Sequence, residues 1–422
     1  MRPFRWLHIS DLFVRQMQPR WSAPIRCICE QATPFANLDA IFVTGNVTAG
    51  GKPDEYDEAS EILKKMAALA GLTHDRVYVV PGDHDVDRSA IRPRHQFTVA
   101  DDVNDIEALF GDSIVRRLLE EKFAGFHKLA DNKFSSWHGG RHPLTAQSID
   151  HGDAAEAAQL GIIGLNTAWL SGGPEHSESE KGRLLVGQSF VATALEDLAA
   201  KTDAVFVLMH HPIGWLRAIE RDSMAAAIKK AGAVVLTGHR SNGIAADWRA
   251  VSPPRQEGSA VYASAGHLYD TEALGQWVNV GQWDIETGGV SIDPWAFNGS
   301  TQCFERVETT GEALRIDQPR KVGRNRSATK LTLGHAGPPI MSLWSESWNA
   351  VVVYLDGPAN MRKLVHTVVY TCGGREYAHN ANDKHRFPSA IVVEPNATIT
   401  ATVTFRDGAK QPLSAIKVHP KA

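Results

Sequence analysis

Three short apolar runs near the N-terminus each end in a polar turn, and this repetition limits the fold more than any other feature. Phe4–Ser10 runs into Ser10-Asp11, Leu38–Thr44 into Gly45-Asn46, and Arg76–Pro81 into Gly82-Asp83. Between the last two, Asp54–Leu72 sets Ile62, Leu63, Met66, Leu69 and Ala70 at helical spacing behind an acidic first turn. Strand, helix and strand at this spacing predict a βαβ unit and a mainly parallel sheet. The polar residues all fall at strand C-terminal ends, the edge where open α/β sheets bind ligands.

The pattern pauses and then resumes. Ser89–Asp150 is polar, with predicted helices over Asp105–Leu119 and Glu121–Leu129, and is expected to be an insertion over the sheet edge. Gly161–Trp169 returns to a strand pattern, and Gly187–Lys201 predicts a helix. Ala204–Met209 is a strand leading into His210-His211-Pro212. Asp222–Ala231 predicts a helix, and Ala233–Leu236 a strand before Gly238-His239-Arg240-Ser241. Ser259–Ala265 and Trp277–Ile285 complete a second half. Thr309–Lys330 is polar and basic and reads as a linker. Beyond it, Ala350–Leu355, Val365–Thr371, Ala390–Val393 and Thr398–Phe405 are β-branched or aromatic runs separated by turn signals. They predict a small immunoglobulin-like β-sandwich. The expected organisation is therefore residues 1–308, a linker at 309–330, and a sandwich at 331–422.

Composition removes several function classes. Lys plus Arg is 44 against 48 Asp plus Glu, a formal charge of −4, so no global basic field draws in nucleic acid. The four cysteines lack zinc-finger spacing and are too few for a disulfide framework. No apolar run approaches the ~18 residues of a membrane span, and the first residues lack a signal-peptide apolar core. A reduced, cytoplasmic protein without membrane attachment is expected.

Five strand-end segments hold the candidate chemistry: His8–Phe13, Gly45-Asn46, Gly82-Asp83-His84-Asp85, His210-His211-Pro212 and Gly238–Ser241. Carboxylates, imidazoles and an amide on one sheet edge suit a divalent metal. In order and spacing these segments resemble the calcineurin-like metallophosphoesterases, across roughly residues 1–300. Gly164–Leu170 and Leu208–Pro212 further resemble a subgroup from bacterial defence and conflict gene neighbourhoods. The resemblance implies a four-layer α/β/β/α sandwich and a two-metal centre. In such a centre, the metals share a carboxylate and a hydroxide and stabilise both oxygens of an in-line displacement. It implies that His84 protonates the leaving oxygen or steadies the phosphate. Asp85 either orients His84 or caps a turn.

Four ligand positions depart from the family pattern. Phe13 and Ser241 stand where the pattern has histidines, Asn46 where it has the bridging aspartate, and Asp83 where it has asparagine. One metal's set thus becomes Asp11, Phe13, Asn46 and Ser241, which should not hold a cation tightly. The other becomes Asn46, Asp83, His210 and His239, which could hold a single Zn, Mn or Fe. The metal-ligand candidates are Asp11, Asn46, Asp83, His210 and His239, and the catalytic candidates are His84 and Asp85. His211, next to His210 on a strand, is expected to point away from the metal. His8 is expected in the core, and Asn166 and Trp169 as braces of the sheet edge; Arg240 faces an anion or solvent. The expected function is a pseudo-hydrolase that binds a phosphate-containing ligand or regulates, in a bacterial defence setting. The alternative is a phosphodiesterase or phosphatase working with one metal, or weakly with two. The C-terminal part faintly resembles prokaryotic YEATS-like sandwiches, which implies a protein partner.

Overall fold

The computed structural model describes residues 2–15, 21–30, 32–90, 121–133, 144–152, 157–171, 180–239, 254–269, 275–308 and 314–316. Further along it describes 332–336, 350–356, 365–380, 389–392, 398–405 and 410–417. Two compact units are present, Met1–Arg320 and Lys321–Ala422. The expected helix over 105–119, most of the linker, Arg240 and Ser241 lie outside the described residues.

The first unit opens with β1 (Phe4–Ile9), β2 (Ala40–Thr44) and β3 (Val77–Val80), which pair in parallel. Among the described residues, α1 (Ala23–Glu30), the short α2 (Ala32–Phe35) and α3 (Pro53–Leu69) belong to this half. Proline at the start of α3 suits its first turn. Glu55 accepts hydrogen bonds from the Gly50 and Lys52 amides, closing the helix entry. α4 (Ala124–Lys133) follows in the insertion. Just before α4, the buried Lys122 ammonium donates to the Trp169 and Ser171 carbonyls, which ties the insertion to the loop bearing Trp169.

A second sheet is built from β4 (Leu144–His151), β5 (Ala158–Leu165), β6 (Ala204–Met209), β7 (Val234–Thr237), β8 (Arg255–Glu257) and β9 (Ala260–Ser264), in the order β4-β5-β6-β7-β9-β8. Its centre is parallel and its two edge strands are antiparallel. α5 (Gln188–Lys201) and α6 (Ala218–Ala231) cover its outer face. β10 (Trp277–Trp283), β11 (Gly289–Asn298), β12 (Cys303–Arg306) and the short β13 (Leu314–Arg315) then return to the first sheet as an antiparallel extension of β1.

The strand period of two sorts the layers. Phe4, Trp6, Phe42, Tyr78 and Val80 meet Leu160, Ile162, Phe206 and Leu208 between the sheets. Their neighbours Leu7, Ile9, Ile41, Val43, Val77 and Val79 face α1, α3 and α4. Ile163, Val205, Val207 and Val235 face α5 and α6. Every central strand is therefore apolar on both sides, as a sheet covered on both faces requires. The result is the four-layer α/β/β/α sandwich. Trp6 and Phe206 meet edge-on across the sheet interface with ring centroids 5.0 Å apart.

β4 corrects the polar insertion expected over residues 89–150. It is an edge strand whose side chains are mostly only half-buried, so its sequence carries little apolar signal. α6 starts four residues earlier than the sequence pattern suggested. Among the described residues the second unit is all β. It holds one antiparallel sheet of β14 (Thr332–Ala336), β15 (Ala350–Asp356) and β18 (Ser389–Val392). The other has the order β17-β16-β19-β20, from β16 (Val365–Cys372), β17 (Arg375–Asn380), β19 (Thr398–Phe405) and β20 (Lys410–Lys417). Val368, Tyr370, Ile399, Ala401 and Val403 are buried there in period-two alternation. Among the described residues no helix is long and apolar enough to cross a membrane.

Candidate metal centre

The C-terminal ends of β1, β2 and β3 and those of β6 and β7 deliver their polar residues to one place. Asp11, Phe13, Asn46 and His239 all sit in the left-handed region, with φ of 51°, 49°, 52° and 42°. Non-glycine residues rarely adopt this conformation, and it gathers where function fixes the backbone. Two glycines allow the ends to approach. A Cβ on Gly45 would lie 2.5 Å from His210 Nδ1, and one on Gly82 would lie 2.2 Å from Asn46 Oδ1.

Asp83, His210, His211 and His239 form the centre, with one ligand atom from each lying within 4.8 Å of the others. His210 Nε2 is 3.2 Å from Asp83 Oδ1 and 3.1 Å from His239 Nδ1. His239 Nδ1 is 3.5 Å, and His211 Nε2 4.0 Å, from the same carboxylate oxygen. His210 Nδ1 lies 2.7 Å from the Thr44 carbonyl, which can only accept; Nδ1 therefore carries a hydrogen. His211 Nδ1 lies 2.9 Å from the Thr167 hydroxyl, which also accepts the His211 backbone N–H. Two polar atoms at this cluster, Asp83 Oδ2 and His211 Nε2, are buried without a hydrogen-bond partner. Leaving such groups unpaired costs about 1–3 kcal/mol each, and a cation at the cluster would satisfy His211 Nε2. The donor set therefore fits a divalent metal of the borderline kind.

The electrostatics point the same way. Burial favours a neutral Asp83, but hydrogen bonds from His210 and His239 outweigh it and hold the carboxyl well below its usual range. Burial also opposes charge on His210. The Asp83 hydrogen bond, the Asp11 charge and the Thr44 carbonyl overcome that and raise it to about 9. His211 moves the other way, pushed well down by burial and by its two imidazole neighbours.

Asn46 lies between Asp11 and Asp83. Its Nδ2 donates to Asp11 Oδ1 at 2.9 Å and to Asp83 Oδ1 at 3.1 Å. Its Oδ1 accepts the His84 backbone N–H at 2.9 Å. Asp11 further accepts from Ser10 Oγ at 2.7 Å and from the His239 amide at 3.3 Å. Phe13 packs against His84 and Tyr269, with centroids 4.6 and 4.4 Å apart. His84 itself is a third exposed. Its Nδ1 lies 3.1 Å from the Ala49 carbonyl, which leaves Nε2 facing Asp83 Oδ2 at 3.7 Å.

Asp85 does not orient His84. Its buried carboxylate accepts the backbone amides of Gly82, Val47 and Thr48 and the Thr48 hydroxyl, and it clamps the loops after β2 and β3 together. That is a positioning role. His8 is a core residue, hydrogen-bonded to Thr44 and Asn279, and burial lowers its pKa to about 3. Asn166 caps its own turn through the Ala168 amide. Sequence reasoning placed His211 outside the centre, and the structure brings it in. β6 ends at Met209, so strand alternation no longer governs the His210-His211 pair.

The family model described as calcineurin-like phosphoesterase matches residues 4–241. The chain belongs to this family. Among curated relatives, an uncharacterized metallophosphoesterase-like protein of Bacillus subtilis, YydB, is 24% identical over 196 residues. That match covers 45% of this chain and 38% of the relative, so the chain spans well under half of that protein's length. The solved structure of GAP50, described as the anchor in the inner membrane complex of Plasmodium, is similar at a TM-score of 0.44 and 9% identity. The similarity covers 75% of this chain and 90% of that one. A purple acid phosphatase from yellow lupin seeds gives 0.41 and 10%, over 72% of this chain and 53% of its own. Metals are characteristic of the family, and the Asp/His cluster at the strand ends is where this member could hold one.

Proposed function

We propose that this calcineurin-like phosphoesterase family member is a pseudo-hydrolase. In this reading it keeps one metal site, has lost the two-metal centre, and serves as a binding or regulatory component for a phosphate-bearing ligand. The orientation of Asn46 carries the proposal. A bridging residue must offer oxygen to two cations, whereas Asn46 offers N–H to two carboxylates. Turning the amide over would set its oxygen against Asp11 and Asp83 and lose the bond from His84. Phe13, packed on His84 and Tyr269, is an apolar ring where the family pattern has a histidine ligand. A single cation held by Asp83, His210 and His239 would supply positive charge at the strand ends. One metal cannot clamp both the attacking and leaving oxygens.

A second reading, a phosphodiesterase working with one metal, draws on His84. Its Nδ1 is committed to the Ala49 carbonyl, and its Nε2 is left facing the centre. Recognition of a protein partner through the second unit, and a bacterial defence setting, belong to the proposal on sequence resemblance. Protein purified without chelator should carry no more than one Mn, Fe or Zn per chain. It should hydrolyse bis-p-nitrophenyl phosphate in added Mn²⁺ no faster than its His210→Ala variant. Robust turnover that disappears in His210→Ala and His239→Ala would overturn the pseudo-hydrolase reading in favour of the second.

A further inference from the structure

Two metal-site types differ in coordination. Structural zinc-type sites are closed by four protein ligands, whereas catalytic sites keep one position for water or substrate. The centre here offers four protein atoms, because His211 joins Asp83, His210 and His239. With metal–ligand bonds of about 2.0–2.1 Å, the corners of a regular tetrahedron lie about 3.3–3.4 Å apart. Of the six separations, four are 3.1, 3.2, 3.5 and 4.0 Å, around that value, and all six are within 4.8 Å. Asp83 is 1% exposed, His210 and His211 are 0%, and His239 is 10%. Water has little access to a fifth position.

The placement of the four residues adds a second argument. Asp83 follows β3 of the first sheet, while His210, His211 and His239 follow β6 and β7 of the second. A cation bound by all four would tie the two sheets together at their polar edge. It would also give a partner to His211 Nε2, a buried atom that lacks a hydrogen-bond partner.

We infer that His211 is a fourth ligand that closes this centre, making the bound metal a structural clasp between the two sheets. The inference rests on the one-metal reading above and deepens it. The test uses the full chain with Co²⁺ in place of the native metal. One Co²⁺ per chain should bind with the intense visible bands of tetrahedral coordination. Chelation should lower the Tm by about 5–10 °C, the shift expected for losing a ligand held at about a hundred times its Kd. His211→Ala should open a coordination position to water, so that its Co²⁺ bands shift on adding azide while those of the wild type do not. It should also weaken Co²⁺ binding by more than the roughly 100-fold that loss of an outer-sphere partner can cost. His84→Ala, outside the four, should leave bands and Tm shift intact. If His211→Ala does not fold, the wild-type Co²⁺ spectrum still decides, because bands that shift on adding azide would reveal an open position and overturn the clasp. One Co²⁺ with weak octahedral bands would overturn the clasp while leaving the one-metal reading standing. Two Co²⁺ per chain would overturn both. No bound Co²⁺, or no Tm shift on chelation, would overturn the clasp.

Discussion

Replacing Asn46 by aspartate puts back the carboxylate that the family pattern expects, and in the metal-free protein this should be strongly destabilising. The Asn46 amide donates at 2.9 Å to Asp11 and at 3.1 Å to Asp83, both buried. Hydrogen bonds to charged acceptors contribute about 1.5–3 kcal/mol each, so losing the pair sets a cost of about 3–6 kcal/mol. A third carboxylate also faces the other two at hydrogen-bond distance, so repulsion adds to the loss. At roughly 2–4 °C per kcal/mol, the Tm in the presence of chelator should fall by about 6–24 °C. The loss should shrink as the pH is lowered, because the introduced carboxyl regains one donor once it is protonated. It should also shrink on adding Mn²⁺, since the new carboxylate is a ligand. Scanning calorimetry of wild type and Asn46→Asp, each with chelator and with Mn²⁺, measures all three effects. If the chelated variant melts with wild type, the amide is not bridging the two carboxylates, and the argument against a second metal fails.

Two further outcomes follow from buried groups around the centre. Asp85→Asn should lower stability by about 1–3 kcal/mol, since its new N–H₂ must face one of the amides of Gly82, Val47 or Thr48. Metal content should hold, and urea unfolding beside metal analysis separates this clamp role from a ligand role. His8 has a pKa of about 3 in the fold against an ordinary 6.5. The unfolded chain thus takes up a proton below 6.5 that the folded chain refuses. This contribution is complete above that pH and is lost as pH falls, by about 1.4 kcal/mol per unit. His8→Gln should remove that much slope from stability measured between about pH 4 and 6, and an unchanged slope would count against it.

The sandwich was legible because central strands apolar on both faces, and polar residues at their ends, are one-dimensional patterns. Phe4, Trp6, Leu7 and Ile9 need no partner identified before they read as a buried strand. The same holds for the strand-end placement of Asp11, Asn46, Asp83, His210 and His239, which follows from counting along the chain. β4 escaped because an edge strand does not have to be apolar.

Side-chain direction at the centre was not legible. Whether Asn46 turns its nitrogen or its oxygen to Asp83 depends on the His84 amide, 38 residues away, already claiming the oxygen. Whether His211 faces the cluster depends on where β6 stops and on Thr167 holding its ring. Whether Asp85 touches His84 depends on three amides, two of them from the loop after β2, reaching it first. The sequence alone determined which groups arrive at the sheet edge, since a strand's length and period carry its end residues there. Only tertiary structure decided which atoms they turn to one another, because hydrogen-bond competition among segments distant in the chain sets those orientations.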